Sequence, residues 1–345
     1  MESSDILLER RGAAGIVTLN RPKALNAVTH DMVRALARQL KAWESDAAVT
    51  RVIIRAEGER AFSAGGDIRA LYEMGCAGRQ QEMLAFWRDE YPLNATIKRY
   101  PKPYVALIDG IVMGGGVGVS VHGSHRVAGD KFSFAMPEVG IGFFPDVGAT
   151  WFLPRVPGEL GTWCALTGDR LKTADAVAAG VATHHVRSDR FGDLTDALCG
   201  NVSVDATLAA FAEPAGGGPM SGQRAAIDRL FASDRVEDIL QRLDAEEGED
   251  RKWAAAIRTK SPLSLKIALA QVRRGKGWSF EECMLCEFRI VSRIVYGNDF
   301  YEGVRAVIVD KDNAPRWNPA TLADITDADV GRHFASLGTD ELVLP

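Results

Sequence analysis

RVIIRAEGERAFSAGGDIRALYEM, residues 51–74, changes from one kind of order to another within a single short stretch. In residues 51–56, Val52, Ile53 and Ile54 form a continuous apolar run, the pattern of a strand buried on both faces. Ser63-Ala64-Gly65-Gly66-Asp67 then breaks the run, and residues 68–74 take up helical spacing. Strand, glycine-rich turn and helix in that order point to an α/β fold with crossover connections. The first amides of such a helix have no intrahelical acceptor and lie at the positive end of its dipole.

The unit recurs. YVALI, residues 104–108, reads as a second buried strand. After it, Met113-Gly114-Gly115-Gly116-Val117-Gly118 opens a segment that runs on to His122. Taken alone, each glycine-rich turn is compatible with an ordinary tight turn. Side by side, two of them can aim two backbone N–H groups at one oxygen, which is an oxyanion hole, and glycine leaves room for that approach. A dinucleotide fingerprint does not fit, because the sixth position of G-x-G-x-x-G falls on Val119 or Val121. The chain has no P-loop and no G-x-S-x-G elbow.

Working outward, residues 6–8 and 16–19 flank Gly12-Ala13-Ala14-Gly15 as a hairpin. Thr29 is placed to cap a helix whose apolar face is Met32, Val33, Leu36, Leu40 and Trp43. Residues 125–128 and 132–134 are further strands, and the alternation of strands and helices lasts to about residue 190. Pro214-Ala215-Gly216-Gly217-Gly218-Pro219 is a loop. Beyond it the chain is charged and helix-periodic, with Ile227, Leu230, Phe231, Ile239, Leu240 and Leu243 as buried faces. A core over residues 1–200 and a helical region over 201–345 are expected, with no internal repeat.

FAMPEVGIGFFPDVGATWFLPR, residues 134–155, carries Glu138 and Asp146 in an otherwise almost uncharged, glycine-rich segment. Burying a carboxylate is costly. Singly, either acid reads as a loop or helix-capping residue. Together, just beyond a glycine-rich turn, they read as a catalytic pair with burial raising one pKa toward neutrality. Glu90, in Trp87-Arg88-Asp89-Glu90-Tyr91, is a third candidate at a junction of amphipathic helix and loop, with a solvated face as its plainer reading.

The remaining residues mostly exclude. The net charge is −5 with a pI of about 5.8, so no basic surplus points to nucleic acid. No apolar run suits a membrane span. Residues 1–11 lack an export or import leader, which gives a cytoplasmic expectation. Cys76, Cys164, Cys199, Cys283 and Cys286 are sparse and odd in number, as in a reducing compartment. The Cys283/Cys286 spacing lies in a helical pattern and reads as structural. His184 and His185 lack a third ligand, and His122 and His125 lack partners, so no metal site is expected.

Three motifs in combination resemble the crotonase (enoyl-CoA hydratase/isomerase) superfamily: residues 20–27 (NRPKALNA), 61–68 (AFSAGGDI) and 110–116 (GIVMGGG). The likeness implies a spiral ββα core, an acyl-CoA substrate and an oxyanion hole of the Gly66 and Gly115 amides. It places Lys23, Ala24, Leu25 and Ile68 along the CoA arm. Residues 86–94, 102–123, 136–155 and 299–311, with Pro315, Arg316 and Trp317, are most similar to a thioester-hydrolysing branch, so the likeness spans nearly the whole chain. There the substrate and catalytic positions correspond to Glu90, Gly115, Glu138 and Asp146. The implied reaction is hydrolysis of a short branched 3-hydroxyacyl-CoA of valine catabolism, with CoA as part of the substrate and no cofactor. Hydratases of the superfamily carry a glutamate where this chain has Gly118, and tend to carry glycine where it has Asp146. Hydration or isomerisation of an enoyl-CoA, and acyl-CoA binding without catalysis, are the alternatives. The C-terminal helices would close the pocket or build a homo-oligomer interface.

Overall fold

The computed structural model describes residues 4–248 and 250–345. Strands β1 (Ile6–Arg11) and β2 (Ala14–Leu19) pair antiparallel around Gly12 and Ala13, a tighter and longer hairpin than expected. Thr29 caps α1 (His30–Ser45) by accepting from the Met32 amide, and the buried face is Met32, Val33, Leu36, Leu40 and Trp43, as the periodicity requires.

The decisive stretch folds as β3 (Arg51–Ala56), the short β4 (Ala61–Ser63) and α2 (Ile68–Cys76), with Asp67 capping the helix from the Ala70 amide. Next come α3 (Gln80–Lys98), β5 (Tyr104–Ile108), β6 (Ile111–Val112) and α4 (Gly115–Gly118). The third round holds β7 (His125–Ala128), β8 (Ser133–Phe134) and a 3-10 turn, Glu138–Ile141. Strands β9 (Leu171–Lys172) and β10 (His184–His185) complete two sheets. The larger has the order β1-β2-β3-β5-β7-β10 and the smaller β4-β6-β8-β9.

Each round therefore gives one strand to each sheet and then a helical turn, which is a ββα spiral. Because β4, β6 and β8 are neighbours in the small sheet, the residues that follow them converge. The strands β4 and β6 are too short to show a period in sequence, so of the three only β8 is legible there.

The larger sheet is covered on both faces. Ile53, Val105, Leu107 and Val127 pack under the helices Phe191–Leu198 and Val204–Phe211. Val52, Ile54, Ala106, Ile108 and Ala128 face the main core, a single cluster running from Ile6 to Leu342. Each fully buried Val or Ile contributes about 1.5–3 kcal/mol relative to exposure. That cluster takes in the C-terminal helices Pro262–Gly275 and Phe280–Ile294, the second of which packs on α3.

One local expectation fails. Glu90 does not lie at a junction with a loop; it is fully inside α3, which continues through Pro92. Proline removes one helical N–H and normally ends a helix. Here the burial of Phe86, Trp87, Tyr91 and Leu93 on the same helix holds it together.

Candidate active site

The turns after β4, β6 and β8 meet at a cavity of about 1020 Å³. Its lining includes Lys23, Ala24, Leu25, Gly66, Ile68, Glu90, Gly115, Glu138 and Asp146, so every residue singled out from the sequence as substrate-facing comes to one place. Local hydrogen bonds explain how the first motif reaches the second. The Ala64 amide donates to the Leu25 carbonyl at 2.9 Å and the Val28 amide to the Gly65 carbonyl at 2.8 Å. The Asn26 side chain donates to the Glu57 and Ala61 carbonyls, both at 2.9 Å, which fixes the turn carrying Lys23 to Leu25.

Among the described residues, no acceptor takes the amide of Gly66 or of Gly115. The two turns touch: a Cβ on Gly115 would stand 3.2 Å from the Gly66 nitrogen. The same Cβ would stand 2.9 Å from Glu90 Oε1, and one on Gly114 would stand 3.4 Å from Glu138 Oε1. Two open amides and two carboxyl groups therefore share one small volume. Glu90 Oε1 and Glu138 Oε2 are buried with no hydrogen-bond partner.

Asp146 is held differently. It accepts from the Tyr91 hydroxyl at 3.0 Å. It does not cap the following helix, Ala149–Phe152, whose N-cap is Gly148 without a side-chain cap. The plain capping reading of Asp146 is therefore not what the backbone uses. Glu138 opens its 3-10 turn without a cap hydrogen bond and without an ion pair among the described residues.

The electrostatics follow from burial. Loss of water, and then the nearby Asp146 carboxylate, raise the Glu138 pKa well above that of an ordinary glutamate, against the pull of its own amide and that of Gly114. Burial first, then Asp146 and Glu287, do the same to Glu90. Asp146 is pushed up to about 7 by burial, opposed by its Tyr91 and Trp87 hydrogen bonds. Carboxyl groups this close in a low-dielectric site cannot all ionise at neutral pH.

Sequence reasoning missed two residues. Glu287 is buried and accepts from the Gly148 amide at 2.7 Å and the Thr150 amide at 2.9 Å. Its signal was present, since it sits four residues after Cys283 and next to Phe288 on the apolar face of its helix. Tyr91, the hydrogen-bond donor to Asp146, is the second. The far wall, with Thr259, Lys260, Ile308 and Asn313, comes from the C-terminal region, for which the sequence leaves pocket closure and an oligomer interface as alternatives. Burial lowers the Lys260 pKa there.

Comparison with known proteins bears on this geometry. Residues 14–334 match the model of a family described as Enoyl-CoA hydratase/isomerase. A protein from Danio rerio named mitochondrial 3-hydroxyisobutyryl-CoA hydrolase is 47% identical over 99% of this chain and 92% of its own length. One of the same name from Rattus norvegicus is 46% identical over 99% and 91%. Among solved structures, one described as a carnitinyl-CoA dehydratase from Mycobacterium thermoresistibile superposes with a TM-score of 0.94 at 45% identity, covering 99% of both chains.

The names of both hydrolases place them in mitochondria, which overturns the cytoplasmic expectation. That expectation leaned on residues 1–11, of which Ile6–Arg11 is a strand of the main sheet. A strand of the folded core carries no information about an address, since targeting leaders are separate from the mature fold.

Proposed function

The chain belongs to the enoyl-CoA hydratase/isomerase family, and from that premise we propose that it hydrolyses 3-hydroxyisobutyryl-CoA to 3-hydroxyisobutyrate and CoA, a step of valine catabolism. The names of relatives sharing nearly half their residues support the substrate. The observation that carries the reaction type is the pairing of two open glycine amides with acids, while the place of a hydratase's other glutamate is closed. A Cβ on Gly118 would lie 2.8 Å from Asn94 Nδ2 and 2.9 Å from Val147 Cβ, so no longer side chain fits there.

In this reading the thioester oxygen accepts from the Gly66 and Gly115 amides, which stabilise the negative charge as the carbonyl is attacked. Two routes are open to Glu138. Its carboxylate oxygen bonds to the carbonyl carbon, the C–S bond breaks, CoA leaves as thiolate, and water cleaves the mixed anhydride. Alternatively, Glu138 takes a proton from water as that water attacks. Asp146, oriented by Tyr91, positions Glu138 or the water, or binds the substrate hydroxyl; Glu90 is the other candidate for the hydroxyl. Lys23, Ala24, Leu25 and Ile68 line the path of the CoA arm. The reaction uses no cofactor beyond the CoA of the substrate, because a thiolate leaves readily.

A second reading, hydration or dehydration, is favoured by the description of the Mycobacterium thermoresistibile structure. A panel of short acyl-CoA, 3-hydroxyacyl-CoA and enoyl-CoA esters separates them. Thiol release is expected, fastest with 3-hydroxyisobutyryl-CoA. A change in enoyl absorbance without thiol release would establish the dehydratase reading, and tight CoA-ester binding without any turnover would make this a binding protein. In a single turnover in ¹⁸O-water, label in the Glu138 carboxylate with an unlabelled product would establish the anhydride route with water attacking the Glu138 carbonyl carbon, whereas label in the product alone is common to general-base attack and to water attacking the acyl carbon of the anhydride.

A further inference from the structure

Asp146 is followed by a backbone that a β-branched residue does not adopt unaided. Val147 has φ 51°, in the left-handed region where a branched Cβ is crowded. Gly148 follows at φ 90°, and a Cβ there would lie 2.5 Å from His122 Cε1. Such a conformation persists only where the surroundings over-determine it.

The turn is gripped from three directions. His122 Nε2 donates to the Val147 carbonyl at 2.6 Å. Gln271 Nε2 donates to the Pro145 carbonyl at 2.5 Å. Glu287 accepts from the Gly148 and Thr150 amides, one with each carboxylate oxygen. All three side chains are buried, and none lines the cavity. Burial keeps His122 neutral, with its pKa lowered to about 4, so Nε2 carries the donated proton. A carboxyl group buried only for packing would be less stable than an apolar residue of its size. Its two oxygens instead match two amides of one strained turn.

We propose that His122, Gln271 and Glu287 are positioning residues that hold the 145–150 turn in its strained form and so aim the Asp146 carboxyl group at Tyr91 and the reacting thioester. The C-terminal helices, which supply Gln271 and Glu287, thereby reach the chemistry without touching substrate. The inference rests on the reading of Asp146 as part of the reacting group.

The test is a double-mutant cycle between Glu287→Gln and Asp146→Asn, with thiol release from 3-hydroxyisobutyryl-CoA followed at excess enzyme so that slow variants stay measurable. In Glu287→Gln the amide turns a donor toward an N–H and loosens the turn. Its kcat is expected to fall about 10–10²-fold, the scale of a small misplacement, with KM within about threefold of wild type. A residue that acts only through Asp146 adds nothing once Asp146 is gone, so the double variant is expected to match Asp146→Asn alone. Losses that multiply would overturn the proposal, as would wild-type kcat in Glu287→Gln beside an impaired Asp146→Asn; that second outcome leaves the Asp146 reading standing. Wild-type kcat in Asp146→Asn would remove the Asp146 reading itself, and the proposal with it. Should Glu287→Gln not fold, Gln271→Met, which deletes the donor to the Pro145 carbonyl, takes its place in the same cycle.

Discussion

Glu138 combines features that a surface glutamate lacks: burial, an unpartnered Oε2 and a carboxylate neighbour in Asp146. Either route of hydrolysis needs it ionised, while its surroundings oppose ionisation. Glu138→Gln keeps the shape and loses the charge, so kcat is expected to drop at least about 10²-fold with KM nearly unchanged. A variant within about threefold of wild type would remove Glu138 from the mechanism. The acid limb of the kcat/KM profile is expected to lie above the ordinary glutamate value of 4.5, because burial and Asp146 both raise the Glu138 pKa. Asp146→Asn removes one of those influences and should move the limb to lower pH; an unmoved limb would mean that the two groups do not interact.

At the scale of elements, the site depends on how β6 hands over to α4. Gly115 is the first residue of that short helix, so its amide is free by construction, and the crossing with the Ala64–Gly66 turn leaves no room for a side chain. In Gly115→Val the Cβ would meet Glu90 Oε1 at 2.9 Å and the Gly66 nitrogen at 3.2 Å, at the place given to the thioester oxygen. Displacing one donor should cost about 10²–10³ in kcat. Gly158→Val is the control. Its Cβ would fall 2.0 Å from Asp228 Oδ1, and neither residue lines the cavity, so the expected effect is a lower Tm with kcat retained in the folded fraction. Near wild-type hydrolysis by folded Gly115→Val protein would mean that the carbonyl is bound elsewhere.

For the whole molecule, the buried acids set a pH dependence of stability. Burial raises Asp146 from 3.8 to about 7 and Glu287 from 4.5 to about 8. The folded state therefore holds these protons more tightly than the unfolded chain, so the stability tied to them is full below the unfolded values and is lost as pH rises through about 7 and 8. His122 runs the other way. Burial lowers it from 6.5 to about 4, so its stability is present above 6.5 and is lost as pH falls toward 4. The opposed slopes overlap below 6.5, and only the carboxyl groups act above it. Tm is expected to fall most steeply between about pH 6.5 and 7, where both carboxyl groups act unopposed, and more gently from there to about 8, each full proton being worth about 1.4 kcal/mol per pH unit. Melting of Asp146→Asn across that range should show a shallower slope; an equal slope would place the titration in other groups.

The linear chain by itself determined what rests on near neighbours. The face of α1, the Thr29 cap, the strands at 51–56 and 104–108 and the two glycine-rich turns follow from spacing over a few residues, and they survive folding unchanged. The acids Glu138 and Asp146 stood out because charge is rare in their segment. Tertiary structure decided whatever depends on residues far apart. It placed Gly66, Gly115 and Glu138 together by stacking β4, β6 and β8, of which β4 and β6 are too short to announce themselves. It kept α3 helical through Pro92 and so buried Glu90, because packing outweighed one lost hydrogen bond. It turned Glu287, one acid among several on a C-terminal helix, into the acceptor for two amides some 140 residues earlier. Periodicity records which face of an element is apolar, whereas a partner for a buried charge exists only once distant elements have met.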